Sequence, residues 1–215
     1  NVIKILVGVR RSGKSTLLRL LAGLYEVQTG RVGFDGKPPR PGICGMVFQN
    51  PENQLFADTV GEDILFGPEN LGQVCRTPKD DPRRHALVAE SLDAVGLDNS
   101  TVADRSPFAL SGGQMRRVAI AGVLAMHPLV LLFDEPTAGL DATGRMLVTT
   151  LIAEQVAAGT TVVVVSHDLE GFLPLADRIL LLAEGAPAFF GDLTALERNP
   201  SAMERAGLEL PSFLA

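Results

Sequence analysis

Short apolar runs and amphipathic segments alternate along much of the chain. Residues 2–7, 129–133 and 161–165 are runs of β-branched or aliphatic residues bounded by glycine, turn or charged residues. Nearly continuous apolar runs of this length are typical of parallel strands that are covered on both faces. Residues 15–24 and 145–158 instead have apolar residues at helical spacing. The strand–helix–strand order predicts an α/β fold with a parallel sheet.

The middle of the chain has a different pattern. After a turn-rich stretch at residues 78–82, apolar residues follow helical spacing as far as residue 125. This pattern predicts a helical subdomain inserted between early and late strands of the sheet. The predicted division is a single domain over residues 1–215, with a core at 1–75 and 127–190, a helical subdomain at 76–126 and a helical tail at 191–215.

Composition restricts the classes of protein. A hydrophobic content of 46% over 215 residues excludes a disordered chain, and a formal charge of −6 argues against a protein that mainly grips nucleic-acid backbone. Cys44 and Cys75 are too few for a disulfide scaffold and lack metal-ligand spacing, so a reducing, cytosolic setting is expected. The apolar runs fall far short of the roughly 20 residues that span a bilayer. Any membrane role is therefore expected to depend on a partner.

A phosphate-binding loop is predicted between the first strand and the first helix. Residues 8–15, Gly-Val-Arg-Arg-Ser-Gly-Lys-Ser, fit the pattern G-x-x-x-x-G-K-[ST], in which backbone N–H groups and a helix N-terminus hold phosphate oxygens. Lys14 is expected to reach the β- and γ-phosphates of ATP, and the Ser15 hydroxyl to bind Mg²⁺. The alternative is a chance match in a glycine-bearing turn. The predicted ATP-binding residues are Gly8, Arg10, Arg11, Ser12, Gly13, Lys14, Ser15 and Thr16.

An acidic pair follows the second predicted strand. Because adjacent strand residues point to opposite faces, Asp134 and Glu135 are expected to do different work. Asp134 is the candidate ligand for Mg²⁺, which prefers oxygen donors, and Glu135 is the candidate general base for the attacking water. The alternative is an ordinary charged end to a buried strand.

Further motifs resemble those of one family. Residues 110–114, Leu-Ser-Gly-Gly-Gln, look like the signature sequence of ATP-binding cassette (ABC) ATPases, and residues 134–141 are similar to that family's Walker B and D-loop run. Gln49 and His167 stand where the family has its Q-loop glutamine and switch histidine. The resemblance implies a P-loop NTPase (RecA-like) sheet with an inserted helical subdomain, and ATP clamped with Mg²⁺ between two protomers.

The resemblance also implies roles for single residues. Ser111, Gly112, Gly113, Gln114 and Asp141 would contact ATP bound by the opposite protomer, and Ser111-Gly112-Gly113 would lie at a helix N-terminus. Catalysis would involve Glu135, His167 and Gln49, and the metal would be held by Ser15, Gln49 and Asp134.

Three segments look like one branch of the family. Residues 45–56, 59–71 and 113–126 resemble the ATPases of energy-coupling factor (ECF) transporters and cobalt or nickel importers. This branch implies uptake of a vitamin or transition-metal ion, a peripheral position at the cytoplasmic face of the cell membrane and no nucleic-acid partner. A transmembrane coupling protein would dock around residues 54–66, although apolar residues there could instead be ordinary core. The dimer could be homomeric or could include a related ATPase.

Some features depart from the family pattern. Arg10 and Arg11 replace residues of the glycine-rich loop centre, and Arg11 would be strained if the loop needs a positive φ there. No aromatic residue can be assigned to stack on adenine, so an N-terminal piece could be missing. The link between residues 35 and 45 is also shorter than usual.

Two alternatives to a transport ATPase remain open at this point. A soluble ABC ATPase of repair, chromosome organisation or translation is one, although the 60 residues between Gln49 and Leu110 leave no room for a long coiled coil. A nucleotide-dependent module that no longer hydrolyses ATP is the other, and the presence of Glu135 and His167 argues against it.

Overall fold

The apolar runs of the sequence pair into one sheet. The computed structural model describes residues 3–9, 11–34, 36–76, 78–167, 169–209 and 211. The strands found there are β1 (Ile3–Val7), β2 (Cys44–Val47), β3 (Val130–Asp134), β4 (Thr161–Val165), β5 (Arg178–Ala183) and β6 (Ala186–Gly191). Their order across the sheet is β2-β3-β4-β1-β5-β6, and β6 alone pairs antiparallel with its neighbour. The predicted α/β fold with a parallel sheet is confirmed, with an antiparallel strand added at one edge.

Successive strand residues point into two apolar layers. On β3, Leu131 and Phe133 belong to one buried cluster, whereas Val130 and Leu132 belong to the other. Leu131, Leu132 and Phe133 have no exposed surface, and burial of such a side chain contributes roughly 1.5–3 kcal/mol. Because both faces of the strand are covered, its sequence is apolar at every position from Val130 to Phe133 rather than at alternate ones.

The helices begin at capping residues. They are α1 (Lys14–Leu21), α2 (Val60–Asn70), α3 (Pro82–Asp93), α4 (Asn99–Val102), α5 (Gly112–Leu124), α6 (Ala142–Ala157), α7 (Leu169–Phe172), α8 (Leu193–Glu197) and α9 (Ser201–Arg205). The Thr59 side chain accepts a hydrogen bond from the Glu62 N–H before α2, and Asp141 accepts one from the Gly144 N–H before α6. Each oxygen satisfies a backbone donor that has no partner within its helix.

The helices between β2 and β3 pack together beside the sheet. α2 contacts α3 and α5, and Val60 and Ile64 of α2 are completely buried. The predicted division starts the helical part at residue 76 and therefore separates α2 from the helices that it contacts. α2 overlaps residues 54–66, the segment expected to dock a membrane partner.

The C-terminal residues that the structure describes pack on one edge of the sheet. α8 and α9 contact β6, and Leu196 and Met203 are fully buried. Among the described residues, no helix combines the length and the apolar content that crossing a membrane requires.

Candidate nucleotide-binding site

The loop between β1 and α1 has a backbone that requires small residues at two positions. A Cβ at Gly8 would overlap the Ser12 hydroxyl oxygen and the carbonyl oxygen of Leu182. Gly13, immediately before α1, has φ 97°, a conformation that glycine adopts far more readily than other residues. Ser12 is almost completely buried within the loop. The segment is therefore a compact turn, and its backbone N–H groups lie just before the N-terminus of a helix of eight residues.

Arg11 has a positive φ, the conformation in which strain was expected from the sequence. Its φ is 66°, in the left-handed region, where an L residue costs roughly 1–2 kcal/mol more than in ordinary helical backbone. Arg11 and Thr16 are exposed, so both are accessible at the rim of the loop. Arg10, the remaining predicted ATP-binding residue, lies outside the described residues.

Lys14 connects the loop to the acidic pair. Its ammonium donates hydrogen bonds to the carbonyl oxygens of Gly8 at 2.6 Å and Val9 at 2.8 Å. Burial lowers the pKa of Lys14, and the negative charges of Glu135 and Asp134 oppose that effect. The structure therefore brings the lysine and both carboxylates into one site, although they are about 120 residues apart in the chain (134 − 14 = 120).

Ser15 and Asp134 form the part of the site that fits a metal ion. The Ser15 hydroxyl donates to Asp134 Oδ1 at 3.2 Å, and Asp134 is 5% exposed. The result is a pair of oxygen donors beside the phosphate-binding loop, which is the donor type that Mg²⁺ prefers. The described residues contain no group of three or more His, Cys, Asp or Glu side chains that could bind a metal without further ligands.

Strand alternation was the predicted reason for different roles of Asp134 and Glu135, and the structure shows another reason. Strand alternation does not apply, because β3 ends at Asp134 and Glu135 has φ 53° in the left-handed region. This backbone turn directs Glu135 toward His167, which follows β4. Glu135 Oε2 accepts the backbone N–H of His167 at 3.2 Å and lies 2.6 Å from its ring Nδ1. The Glu135 side chain is 13% exposed and that of His167 73% exposed, so the pair opens to solvent on the histidine side.

The signature residues lie at a helix N-terminus, as expected. Ser111 caps α5: its hydroxyl accepts the Gln114 N–H at 3.3 Å, while Gln114 Oε1 accepts the Ser111 N–H at 3.0 Å. Ser111, Gly112 and Gly113 are all exposed. In the described part of the chain, no hydrogen bond joins them to the phosphate-binding loop. Asp141 caps α6 in the same way through the Gly144 N–H at 2.7 Å.

Comparison with known proteins fits these features. The sequence profile of the ABC transporter family matches residues 2–138. The chain belongs to this family. The chain is 42% identical to the energy-coupling factor transporter ATP-binding protein EcfA2 of Symbiobacterium thermophilum, over 98% of the chain and 74% of that protein. It is 40% identical to EcfA2 of Clostridium perfringens, over 96% of the chain and 74% of that protein.

Solved structures agree with this ABC assignment. The cbiO1 protein of Clostridium perfringens, part of the ABC transporter complex cbiONQ, is 32% identical, with a TM-score of 0.77 over 99% of this chain and 86% of that one. An ATP-binding cassette in a dimeric post-hydrolysis state with ADP and Pi is 28% identical, also with a TM-score of 0.77, over 90% and 88% of the two chains. The ABC ATPase fold and the resemblance to the ECF branch are therefore confirmed, and the repair or translation alternative is wrong.

The segment expected to dock a membrane partner is divided between core and surface in this ABC subunit. Leu55, Ile64 and Leu65 are buried, so the alternative that apolar residues there are core is correct for them. Phe56 and Phe66 are instead 58% and 46% exposed and pack edge to face, with ring centroids 4.6 Å apart. They line a groove together with Leu24, Leu71 and Met126.

The contact of Gln49 in the structure is made by its backbone, not by its side chain. The side chain is exposed, and no contact between it and Ser15 or Asp134 is seen among the described residues. The Gln49 carbonyl oxygen accepts a hydrogen bond from Arg116 at 3.2 Å. Sequence reasoning missed Arg116. The sequence feature that could have revealed Arg116 is a charged residue on the same face of α5 as Ile120 and Val123. A buried arginine at such a position needs several hydrogen-bond acceptors.

Proposed function

We propose that this ABC ATPase powers an ECF-type importer as one protomer of a dimer, with ATP held between the phosphate-binding loop of one protomer and the signature turn of the other. Closure of the dimer on ATP and its reopening after hydrolysis would drive a membrane-embedded coupling protein. The cargo class is a vitamin or a transition-metal ion. The dimer could be homomeric or formed with a related ATPase.

The observation that supports the composite site most directly is the unexplained pair of glycines in the signature turn. Neither Gly112 nor Gly113 has a positive φ, and a Cβ built at either position meets no atom within 4 Å. The protomer itself therefore gives no steric reason for glycine at the start of α5, where alanine would favour the helix. A close approach by a ligand from outside the protomer supplies such a reason. A helix N-terminus with exposed N–H groups suits a phosphate.

Each protomer would contribute the remaining chemistry through its own residues. Lys14, which now lies against two loop carbonyls, would turn to the β- and γ-phosphates, where its charge offsets the charge that develops on the transferred group. Ser15 and Asp134 are the residues that would hold Mg²⁺, which neutralises phosphate charge and helps to orient the phosphates. Gln49 would have to move its side chain to join them.

Glu135 would act as the general base for water. The His167 backbone N–H and ring contact Oε2 and fix the orientation of the carboxylate, and Oε1 would accept a proton from water. The exposed side of His167 would meet the γ-phosphate, which would place the water between that phosphate and Glu135.

The exposed Phe56–Phe66 pair would receive the coupling protein. Two large aromatic side chains that remain in solvent beside a groove are typical of an interaction site. Asp63 supports the loop that carries one of them, because its carboxylate accepts the N–H groups of Phe56 and Ala57 at 3.2 Å each. With the coupling protein in the membrane, the subunit would lie at the cytoplasmic face, bound peripherally.

Ser111→Arg tests the composite site. The change adds a long charged side chain at an exposed position and removes the cap of α5, which should cost about 0.5–2 kcal/mol of stability. The fold and ATP binding to a single protomer should remain, while the approach of the second protomer is blocked. Phosphate release should fall to background, and ATP should no longer produce dimers in sedimentation or light scattering. Ser100→Arg, at an exposed position of α4, is the control for the added charged side chain and should hydrolyse ATP at the parent rate. Parent-level turnover by Ser111→Arg would refute the composite site.

A further inference from the structure

Arg116 connects three segments that the nucleotide site uses. It lies on α5, five residues after Ser111, and is 9% exposed. Its Nη1 donates to the carbonyl oxygens of Pro136 and Ala138, both at 3.0 Å. Its Nη2 donates to the carbonyl oxygen of Gln49 at 3.2 Å. One guanidinium therefore joins the helix of the signature turn to the loops that follow β2 and β3.

The sheet brings these acceptors together. β2 and β3 are neighbours and parallel, so their C-terminal ends lie at the same edge. The loop after β2 contains Gln49 and leads to the groove of Phe56 and Phe66. The loop after β3 begins with Glu135. Arg116 is thus hydrogen-bonded both to the loop that leads to the groove and to the residues that follow Glu135.

The planar guanidinium suits this position better than any other side chain. It offers several N–H donors in a rigid arrangement and stays charged under all physiological conditions, so it can satisfy three carbonyl oxygens at once. A lysine ammonium is a single point that cannot reproduce the same spread of donors. Removal of the guanidinium would leave three carbonyl oxygens without this partner and would free the two loops to move relative to α5.

We propose that Arg116 is a positioning residue that holds the signature turn in a fixed relation to the Gln49 loop and to the loop after Glu135. Displacement of the Gln49 loop by a partner in the groove is then passed to Ser111 through one turn and a half of rigid helix. Occupation of the groove and alignment of the signature turn for ATP in the opposite protomer are therefore linked. This proposal rests on the composite-site function proposed above.

The test compares Arg116 with its neighbour Arg117. Arg117 lies on the same helix and donates to the carbonyl oxygens of Val95 and Gly96, which belong to the helical region and not to the nucleotide loops. Arg116→Met, Arg116→Lys and Arg117→Met are made in the full chain. ATP affinity of the monomer, kcat and KM are measured for each, and ATP-dependent dimerisation is measured in a Glu135→Gln background, which slows hydrolysis.

The Arg116→Met monomer should bind ATP with an affinity within about twofold of the parent's. Its kcat should fall by about tenfold or more, because the signature turn is no longer held in register. Its ATP-dependent dimerisation should weaken in parallel. Arg116→Lys should recover only part of the loss. Arg117→Met should keep the parent's kcat and dimerisation even if its melting temperature falls, since its bonds do not reach the loops.

Two results would overturn the proposal. One is an Arg116→Met protein that is folded, by circular dichroism, and equals Arg117→Met in kcat and dimerisation. The other, which decides the case if the methionine variant does not fold, is an Arg116→Lys protein with the parent's kcat and dimerisation. A parent protein that neither dimerises with ATP nor hydrolyses it would instead contradict the proposed function, and so the two failures are distinguishable.

Discussion

Gly113→Ala should separate the needs of the fold from those of the composite site. Gly113 is the second residue of α5, and a Cβ added there meets no atom within 4 Å in the described protomer. The substitution therefore introduces no clash, and it replaces a poor helix former with the best one. If glycine is present only because a nucleotide phosphate of the opposite protomer comes close, the new methyl group harms function and not folding.

The expected magnitude follows from helix propensity. Glycine to alanine within a helix is worth about 1 kcal/mol, and the gain is smaller at the first turn, where fewer backbone hydrogen bonds depend on the residue. For a protein of this size, 1 kcal/mol corresponds to about 2–4 °C in melting temperature. Gly113→Ala should therefore melt at or up to about 4 °C above the parent temperature. Its ATP-dependent dimerisation and phosphate release should both be strongly reduced.

Gly122→Ala is the matched control for this prediction. It makes the same change on the same helix, and its Cβ would meet the nearest atoms of α2, Asp63 O and Ile64 Cα, at an ordinary 3.7 Å. Because Gly122 lies beyond the first turn of α5, this variant should gain at least as much stability, about 1 kcal/mol, and keep full ATPase activity. Calorimetry and a phosphate-release assay on the three proteins settle the question. A lower melting temperature for Gly113→Ala, or full turnover by it, would refute the reasoning.

Three further predictions concern the phosphate loop and the acidic pair. Lys14→Ala should remove measurable binding of a fluorescent ATP analogue while far-ultraviolet circular dichroism stays unchanged; retained affinity would contradict the role of the ammonium. Glu135→Gln should lower the rate of phosphate release by about 10²- to 10⁴-fold and lengthen the lifetime of the ATP-bound dimer, unless water is activated elsewhere. Arg11→Gly should raise the free energy of unfolding in urea by up to about 1 kcal/mol, because relief of roughly 1–2 kcal/mol of left-handed strain exceeds the roughly 0.5–1 kcal/mol entropic cost of glycine. A destabilised Arg11→Gly protein would show that the arginine side chain makes a compensating contact.

Three strands of the sheet, β1, β3 and β4, could be predicted because their apolar runs are local and unambiguous, whereas β2 and β5 were not predicted. Residues 161–165 match β4 and residues 129–133 match β3 within one residue. Their apolar side chains fill both layers of the core, so no polar residue interrupts the pattern. The antiparallel β6 was not predicted, since its residues are exposed or half-buried, include Pro187 and Gly191, and directly follow Gly185.

The candidate site could be predicted where a motif fixes the local backbone. The phosphate loop and the helix start at Ser111 follow from short sequences beside strands or helices, whereas the contact between His167 and Glu135 was not predicted. Arg116 could not be placed in the same way, because its acceptors are backbone carbonyls 67 residues before it and about 20 residues after it in the chain. Any residue provides a carbonyl, so the sequence of Gln49 or Pro136 carries no trace of the contact.

The two strained residues at this site have different origins. Arg11 and Glu135 both have positive φ, and they follow β1 and β3, the strands on either side of β4. Strain of about 1–3 kcal/mol per residue persists only where the surrounding structure imposes it. At Glu135 the strained turn brings the carboxylate to His167, and this contact fixes the position of the candidate base. At Arg11 no contact of the exposed side chain provides one in the described protomer, and glycine would adopt the same backbone with less strain. Weaker ATP binding by Arg11→Gly at unchanged or higher stability would reveal that the arginine at this position serves the nucleotide, as the sequence predicts.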